Sequence, residues 1–134
     1  MNDLQIPVCQ GADRNVRQPA FQVPALACDT HAHVFGPQSR YDYVPNRTYT
    51  PPDASLEDYL ALHNTLGIER GVLVQPSVYG TDNRAMLDAL ELLNNRYTDN
   101  AYRGVAVVDP NISDEELQQL HTAGVRGVRV NLLF

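Results

Sequence analysis

Two histidines one residue apart, His31 and His33, close a short apolar segment, Ala25-Leu26-Ala27-Cys28-Asp29-Thr30-His31. On a strand, residues two apart face the same way, so both imidazoles project together from its C-terminal end. In parallel α/β folds ligands bind at that end. Two imidazoles there can ligate a divalent metal or hydrogen-bond an anionic substrate; the plainer alternative is two polar residues finishing a strand. Arg129 and Asn131 are also two apart, with Val128 and Val130 alternating between and beyond them. An arginine turned into a protein interior is costly unless it meets an anion, and its planar fork suits a carboxylate. Arg126 starts the same segment on the opposite face, where a salt bridge to a helix layer competes with a binding role. Tyr49 lies in a long loop and Ser77 just after Pro76. A loop tyrosine can simply pack the loop, and a serine there can simply make a turn.

Other chemistry-bearing residues are set aside by position. His63 and His121 fall inside helical patterns, away from the strand ends. Asp109-Pro110 ends an apolar run, but Asp before Pro starts turns. Cys28 alternates away from His31 and is expected in the core. No Gly-x-Gly-x-x-Gly follows a strand, so nothing supports a dinucleotide site.

The elements that must position these groups are legible from periodicity. Four apolar runs, 25–31, 71–75, 104–108 and 125–131, read as strands, and the middle two are nearly continuous, as in parallel sheets buried on both faces. Between them lie three helical patterns. Ser55 with Asp58 caps the first, which continues through Leu56, Tyr59, Leu60, His63 and Leu66 to a stop at Gly67. The second opens at Thr81-Asp82-Asn83 and runs through Met86, Leu90, Leu93 and Tyr97. The third opens at Ser113 with Glu116, buries Leu117 and Leu120, and ends at Gly124. The β-α-β-α-β-α-β order predicts a parallel sheet with right-handed crossovers, either open and doubly wound or a barrel. Residues 1–24 read as a surface leader. The connection from Val34 to Ala54 is unusually long, with four Pro, three Tyr and two Arg, and loops of that length are usually functional.

Composition narrows the classes. The chain has 134 residues, 43% of them hydrophobic, enough for one domain with a real core. A net charge of −6 argues against nucleic acid as a partner. No run of 18 apolar residues predicts a membrane span, and the N-terminus lacks a signal-peptide pattern. Two cysteines make no disulfide framework and point to the reducing cytoplasm. All ten basic residues are Arg, which excludes a Schiff-base or P-loop lysine among these residues.

Cys28-Asp29-Thr30-His31-Ala32-His33-Val34-Phe35-Gly36-Pro37 resembles the opening of the amidohydrolase superfamily, and within it the branch of the 2-pyrone-4,6-dicarboxylate lactonases. Arg47 to Ala54, Gly71 to Ser77, Gly80 to Asn83 and Gly124 to Asn131 agree with that branch, so the resemblance runs over about residues 24–134. The chain departs from it at Ala32, where Cys is common, and at Pro76, where Ala is usual. The resemblance implies a (β/α)8 TIM-like barrel whose N-terminal half, about four βα units over 25–134, is present here. It implies hydrolysis of a carboxylate-bearing lactone by water attack on the ring ester. His31 and His33 would contact the scissile group, and Tyr49, Ser77, Arg126, Arg129 and Asn131 would bind substrate. In most of the superfamily the histidine pair ligates metal. In this branch no metal is obligatory, though zinc or another divalent ion at His31 and His33 stays open. The general base would be an Asp at the end of an eighth strand. The alternatives are a zinc-dependent sugar-acid lactonase or other amidohydrolase, and a non-catalytic fragment. Four strands cannot close an eight-stranded barrel. The native product is therefore expected to continue past Phe134. The 134-residue chain alone is expected to be inactive and to self-associate through exposed sheet edges.

Overall fold

The computed structural model of the chain describes residues 5–97 and 101–132. Four strands, β1 (Cys28–Ala32), β2 (Arg70–Val74), β3 (Tyr102–Ala106) and β4 (Val125–Val128), form one sheet in the order β1-β2-β3-β4, with every pair parallel. Three helices, α1 (Leu56–Leu66), α2 (Arg84–Arg96) and α3 (Asp114–Thr122), alternate with them. Sequential order without a reversal is the singly wound arrangement of a barrel and differs from the doubly wound sheet, whose strand order turns back on itself. The described residues thus form three consecutive βα units and a fourth strand of a partial (β/α)8 barrel.

The caps form as the sequence requires. The Ser55 and Ser113 side chains accept the backbone N–H of Asp58 and Glu116, whose carboxylates return to the serine N–H groups. Gly67 ends α1 in the left-handed conformation, at φ 76°. Asn83 precedes α2 without capping it, because its amide is committed to β3: Nδ2 donates to the Thr81 and Val107 carbonyls and Oδ1 accepts the Val107 N–H.

The larger core joins the helices to one face of the sheet. Tyr59 and Leu60 of α1 and Met86, Ala89, Leu90 and Leu93 of α2 meet Leu73, Tyr102, Ala106 and Val125. Gly71 lets two rings reach that face, since a Cβ there would collide with the Tyr59 hydroxyl and lie 2.9 Å from Tyr102 Cε1. Against expectation, α3 buries none of its residues: Leu117 is 40% exposed, and Leu120 alone of the expected pair packs on the core. The long connection folds around a second, smaller cluster of Tyr41, Val78, Tyr79 and Ala85. The leader's Val8 bridges Thr50 of that loop, and its Arg14 pairs with Asp58 at the start of α1.

Two register slips shape the functional edge. Between β1 and β2, Asp29 pairs with Gly71 but Ala32 with Leu73, so β1 spends three steps where β2 spends two. Between β3 and β4, Gly104 pairs with Val125 but Val105 with Gly127, which inserts one residue in β4. A bulge of this kind reverses which side chains face which side of the sheet beyond it. The first slip also corrects the expectation for Cys28, which is exposed and not in the core.

Candidate functional site

Strict alternation would put Asp29, His31 and His33 on one face. The β1 slip separates them. Asp29 faces α1, where its Oδ2 lies 3.2 Å from His63 Nε2, and Ala32 packs on the helix-side core, while His33 turns to the end of β2. The two imidazoles meet edge to face with centroids 5.0 Å apart. His31 is exposed; His33 is half-buried, and its Nδ1 lies 2.7 Å from the Val74 carbonyl at the end of β2. A carbonyl only accepts, so Nδ1 carries the proton and the neutral ring keeps its lone pair on Nε2. Burial pushes the His33 imidazole below its ordinary value; the Val74 hydrogen bond opposes this, and the charges of His31 and Arg129 add to the lowering.

The β4 slip does the same for Arg129. Regular alternation from Val125, which faces the helices, would send Arg129 to the helix side. The extra residue turns it to the side of the histidines, where Nη1 donates to the Gln75 carbonyl at 2.9 Å. β4 ends at Val128, three residues short of the expected boundary, yet the Arg129 N–H still bonds Ala106 O at 2.7 Å. Arg129, Asn131, Ser77 and Arg47 line a cavity of about 370 Å³ at this edge. Ser77 opens the 3₁₀ turn Ser77–Tyr79, which buried Gln75 holds by donating Nε2 to the Gly80 and Asp82 carbonyls. His31 and His33 line a separate pocket of about 580 Å³, together with Asp29 and with Tyr59 and Leu62 of α1, and the leader's Gly11 to Arg14 wall it as well.

Not every candidate comes to this edge. Arg126 Nη1 donates to the carbonyls of His121 and Val125, which holds the guanidinium against the C-terminal end of α3. Tyr49 packs on the tyrosine cluster of the long loop and does not line the Arg129 cavity. Asp109 makes the turn its sequence suggests, accepting from Asn111 and Ile112. Sequence reasoning missed Arg47 and Gln75 as parts of the site. A charged residue in a long proline-rich loop and a polar residue ending an apolar run were the available signals. Arg47 is held by Thr50 Oγ1 and the Val44 carbonyl, with its guanidinium over the Tyr43 ring.

As a metal site the pair is incomplete. Two imidazoles offer half of a tetrahedral zinc shell, and among the described residues no cluster of three or more His, Cys, Asp or Glu side chains could hold an ion. His33 Nε2 is the nitrogen such an ion would use, because Nδ1 is committed to Val74.

A singly wound parallel sheet with a histidine pair at the C-terminal end of its first strand sets that pair where ligands bind in a (β/α)8 barrel. The sequence profile of the amidohydrolase family matches residues 28–134, and the chain belongs to that family. It is 50% identical over 119 residues to the 2-pyrone-4,6-dicarboxylate hydrolase of Comamonas testosteroni, covering 89% of this chain and 37% of that protein. It is 46% identical over 126 residues to the 4-sulfomuconolactone hydrolase of Rhizobium radiobacter, covering 92% of this chain and 40% of that one. Among solved structures, a probable 2-pyrone-4,6-dicarboxylic acid hydrolase from Acinetobacter baumannii with citric acid bound superposes with a TM-score of 0.72 at 35% identity, over 80% of this chain and 38% of the other. The chain therefore spans well under half the length of these relatives. Among the described residues no helix is long and apolar enough to cross a membrane.

Proposed function

We propose that the protein hydrolyses the ring ester of a lactone bearing at least one carboxylate, of the 2-pyrone-4,6-dicarboxylate type. The observation that carries this reading is the pairing of a half-buried arginine, Arg129, with Ser77, Asn131 and Arg47 around one cavity beside His33. A guanidinium fork there would hold the acid group, and Ser77 and Asn131 would complete its hydrogen bonds. Water would add to the lactone carbonyl carbon, the ring C–O bond would break, and the ring oxygen would leave as an enol or alcohol while one further carboxylate forms. His33, with its lone pair on Nε2, can accept a proton from that water or ligate a divalent ion; His31 stands beside it. The reaction needs no obligatory metal on this reading, and zinc would require donors from outside the described residues. The anionic substrates named for the Comamonas and Rhizobium relatives and the citric acid in the Acinetobacter structure support an acid-binding site. Arg126 and Tyr49 are left in supporting positions. Free thiols at exposed Cys9 and Cys28 fit a reducing, cytoplasmic setting. For the 134 residues by themselves, exposed Val128, Val130 and Leu132 at the β4 edge fit self-association; Leu133 and Phe134 lie outside the described residues.

The test is turnover of 2-pyrone-4,6-dicarboxylate by the whole protein, followed by loss of ring absorbance, with and without a chelator and beside an uncharged lactone. Chelator-resistant turnover confined to the charged lactone is expected. Equal turnover of the uncharged lactone would remove the acid-binding role, and activity abolished by chelator and restored by zinc would favour the zinc-dependent reading.

A further inference from the structure

The buried group that the proposed reaction does not use is His63. It sits in α1 at 2% exposure, between the Asp29 carboxylate and the Tyr102 hydroxyl, with Nε2 3.2 Å from Asp29 Oδ2 and Nδ1 3.3 Å from Tyr102 Oη. The Tyr59 and Tyr102 rings enclose it, with centroids 4.0 and 6.1 Å away. The hydrogen bonds run in one direction. A carboxylate only accepts, so His63 Nε2 donates to Asp29, and in the neutral ring Nδ1 accepts from Tyr102. Asp29 is thereby held by one oxygen. Its other oxygen, Oδ1, accepts the His31 N–H at 3.1 Å, inside the register slip that turns the histidines away from the helix layer. A backbone amide at a bulge leaves the regular ladder and needs another acceptor. A short side chain two residues back is well placed to supply one.

We propose that Asp29 is a positioning residue, anchored by His63, that fixes the β1 bulge and so sets the orientation of the His31 and His33 imidazoles. The inference rests on reading that histidine pair as the reactive one. Asp29 lies outside the cavity around Arg129 but lines the pocket of His31 and His33; the effect proposed here passes through the His31 backbone. Asparagine at this position keeps an oxygen for the His31 N–H and can donate to His63 after a tautomer change, whereas alanine removes both bonds.

Amide hydrogen exchange at His31 and steady-state kinetics are measured for the whole protein and for Asp29→Asn, Asp29→Ala and His33→Ala. Asp29→Ala is expected to speed His31 exchange and to lower kcat about ten- to a hundredfold with KM within about threefold, and Asp29→Asn to restore most of both. Wild-type exchange and kcat in Asp29→Ala would overturn the proposal. So would equal losses in Asp29→Ala and Asp29→Asn that follow the folded fraction, because that marks packing alone. If Asp29→Ala does not fold, Asp29→Asn decides through His31 exchange: protection near wild type supports the proposal, and lost protection in a folded protein overturns it. Full activity in His33→Ala would instead remove the functional reading, and His31 exchange in the Asp29 variants would still decide whether Asp29 sets the bulge.

Discussion

His33 and Arg129 reach consecutive carbonyls at the end of β2, His33 Nδ1 on Val74 at 2.7 Å and Arg129 Nη1 on Gln75 at 2.9 Å. They come from β1 and β4, on either side of the two central strands. Each bond orients its side chain by a backbone group at the end of a central strand, so the sheet itself positions both side chains. The same contact sets the chemistry. Holding the proton on Nδ1 leaves His33 an acceptor at Nε2, and the nearby guanidinium disfavours a second positive charge.

The pH behaviour of His33 follows. Burial is the main cause of its lowered value, with the charges of His31 and Arg129 adding and the Val74 bond opposing. The unfolded chain, titrating near about 6.5, binds more protons than the folded chain between the two values. Stability from this group is therefore complete above the unfolded value, and it is lost as pH falls toward and through the folded one. An NMR titration of the His33 ring is expected to give a midpoint below the unfolded value, and Arg129→Met should move it upward. A midpoint above the unfolded value would contradict the geometry.

Arg129→Met also tests the acid-binding role. Losing a hydrogen bond to a charged group costs about 1.5–3 kcal/mol, which corresponds to roughly 10- to 150-fold. In the whole protein KM for a carboxylated lactone should rise by that factor, while an uncharged lactone changes little. The check is a pair of saturation curves, and parallel changes for both substrates would count against a carboxylate clamp.

Much of this edge was readable from sequence, because capping boxes, apolar runs and Gly67 each carry a local physical signal. The serine caps at Ser55 and Ser113 formed as written. What alternation could not give is the face on which a residue lies beyond a bulge. His31 and His33 do meet, ring to ring, and Arg129 and Asn131 line one cavity, which Val130 between them also lines. The slips that bring both pairs to one side of the sheet depend on strand pairing, which is a long-range property. Cys28 was misplaced for the same reason. Leu117 was misplaced because helical spacing reports a face and not whether anything covers it. Arg126 obeyed its plainer alternative in part: it went to the helix side, but to carbonyls and not to a carboxylate.

Asn83 offers a test of what holds the edge together from behind. Its buried amide ties the start of α2 to the end of β3, giving two donors to Thr81 and Val107 and accepting one N–H from Val107. Val107 in turn lines the cavity that contains Arg129. Asn83→Ala removes all three bonds and leaves the Val107 N–H and C=O without that partner. Each buried polar group left unsatisfied costs about 1–3 kcal/mol, so the variant should lose at least that much stability in urea, seen as a lower midpoint at unchanged slope. Asn83→Asp is the discriminating control. It keeps the acceptor for the Val107 N–H, removes both donors, and sets a carboxylate against two carbonyls, so it should be no more stable than the alanine variant. If Asn83→Ala keeps the wild-type midpoint, water has taken over these bonds and the staple contributes nothing. If it loses stability while KM for the charged lactone is unchanged, β3 holds its place without Asn83, and the cavity is fixed by the Gln75 and Arg129 contacts alone.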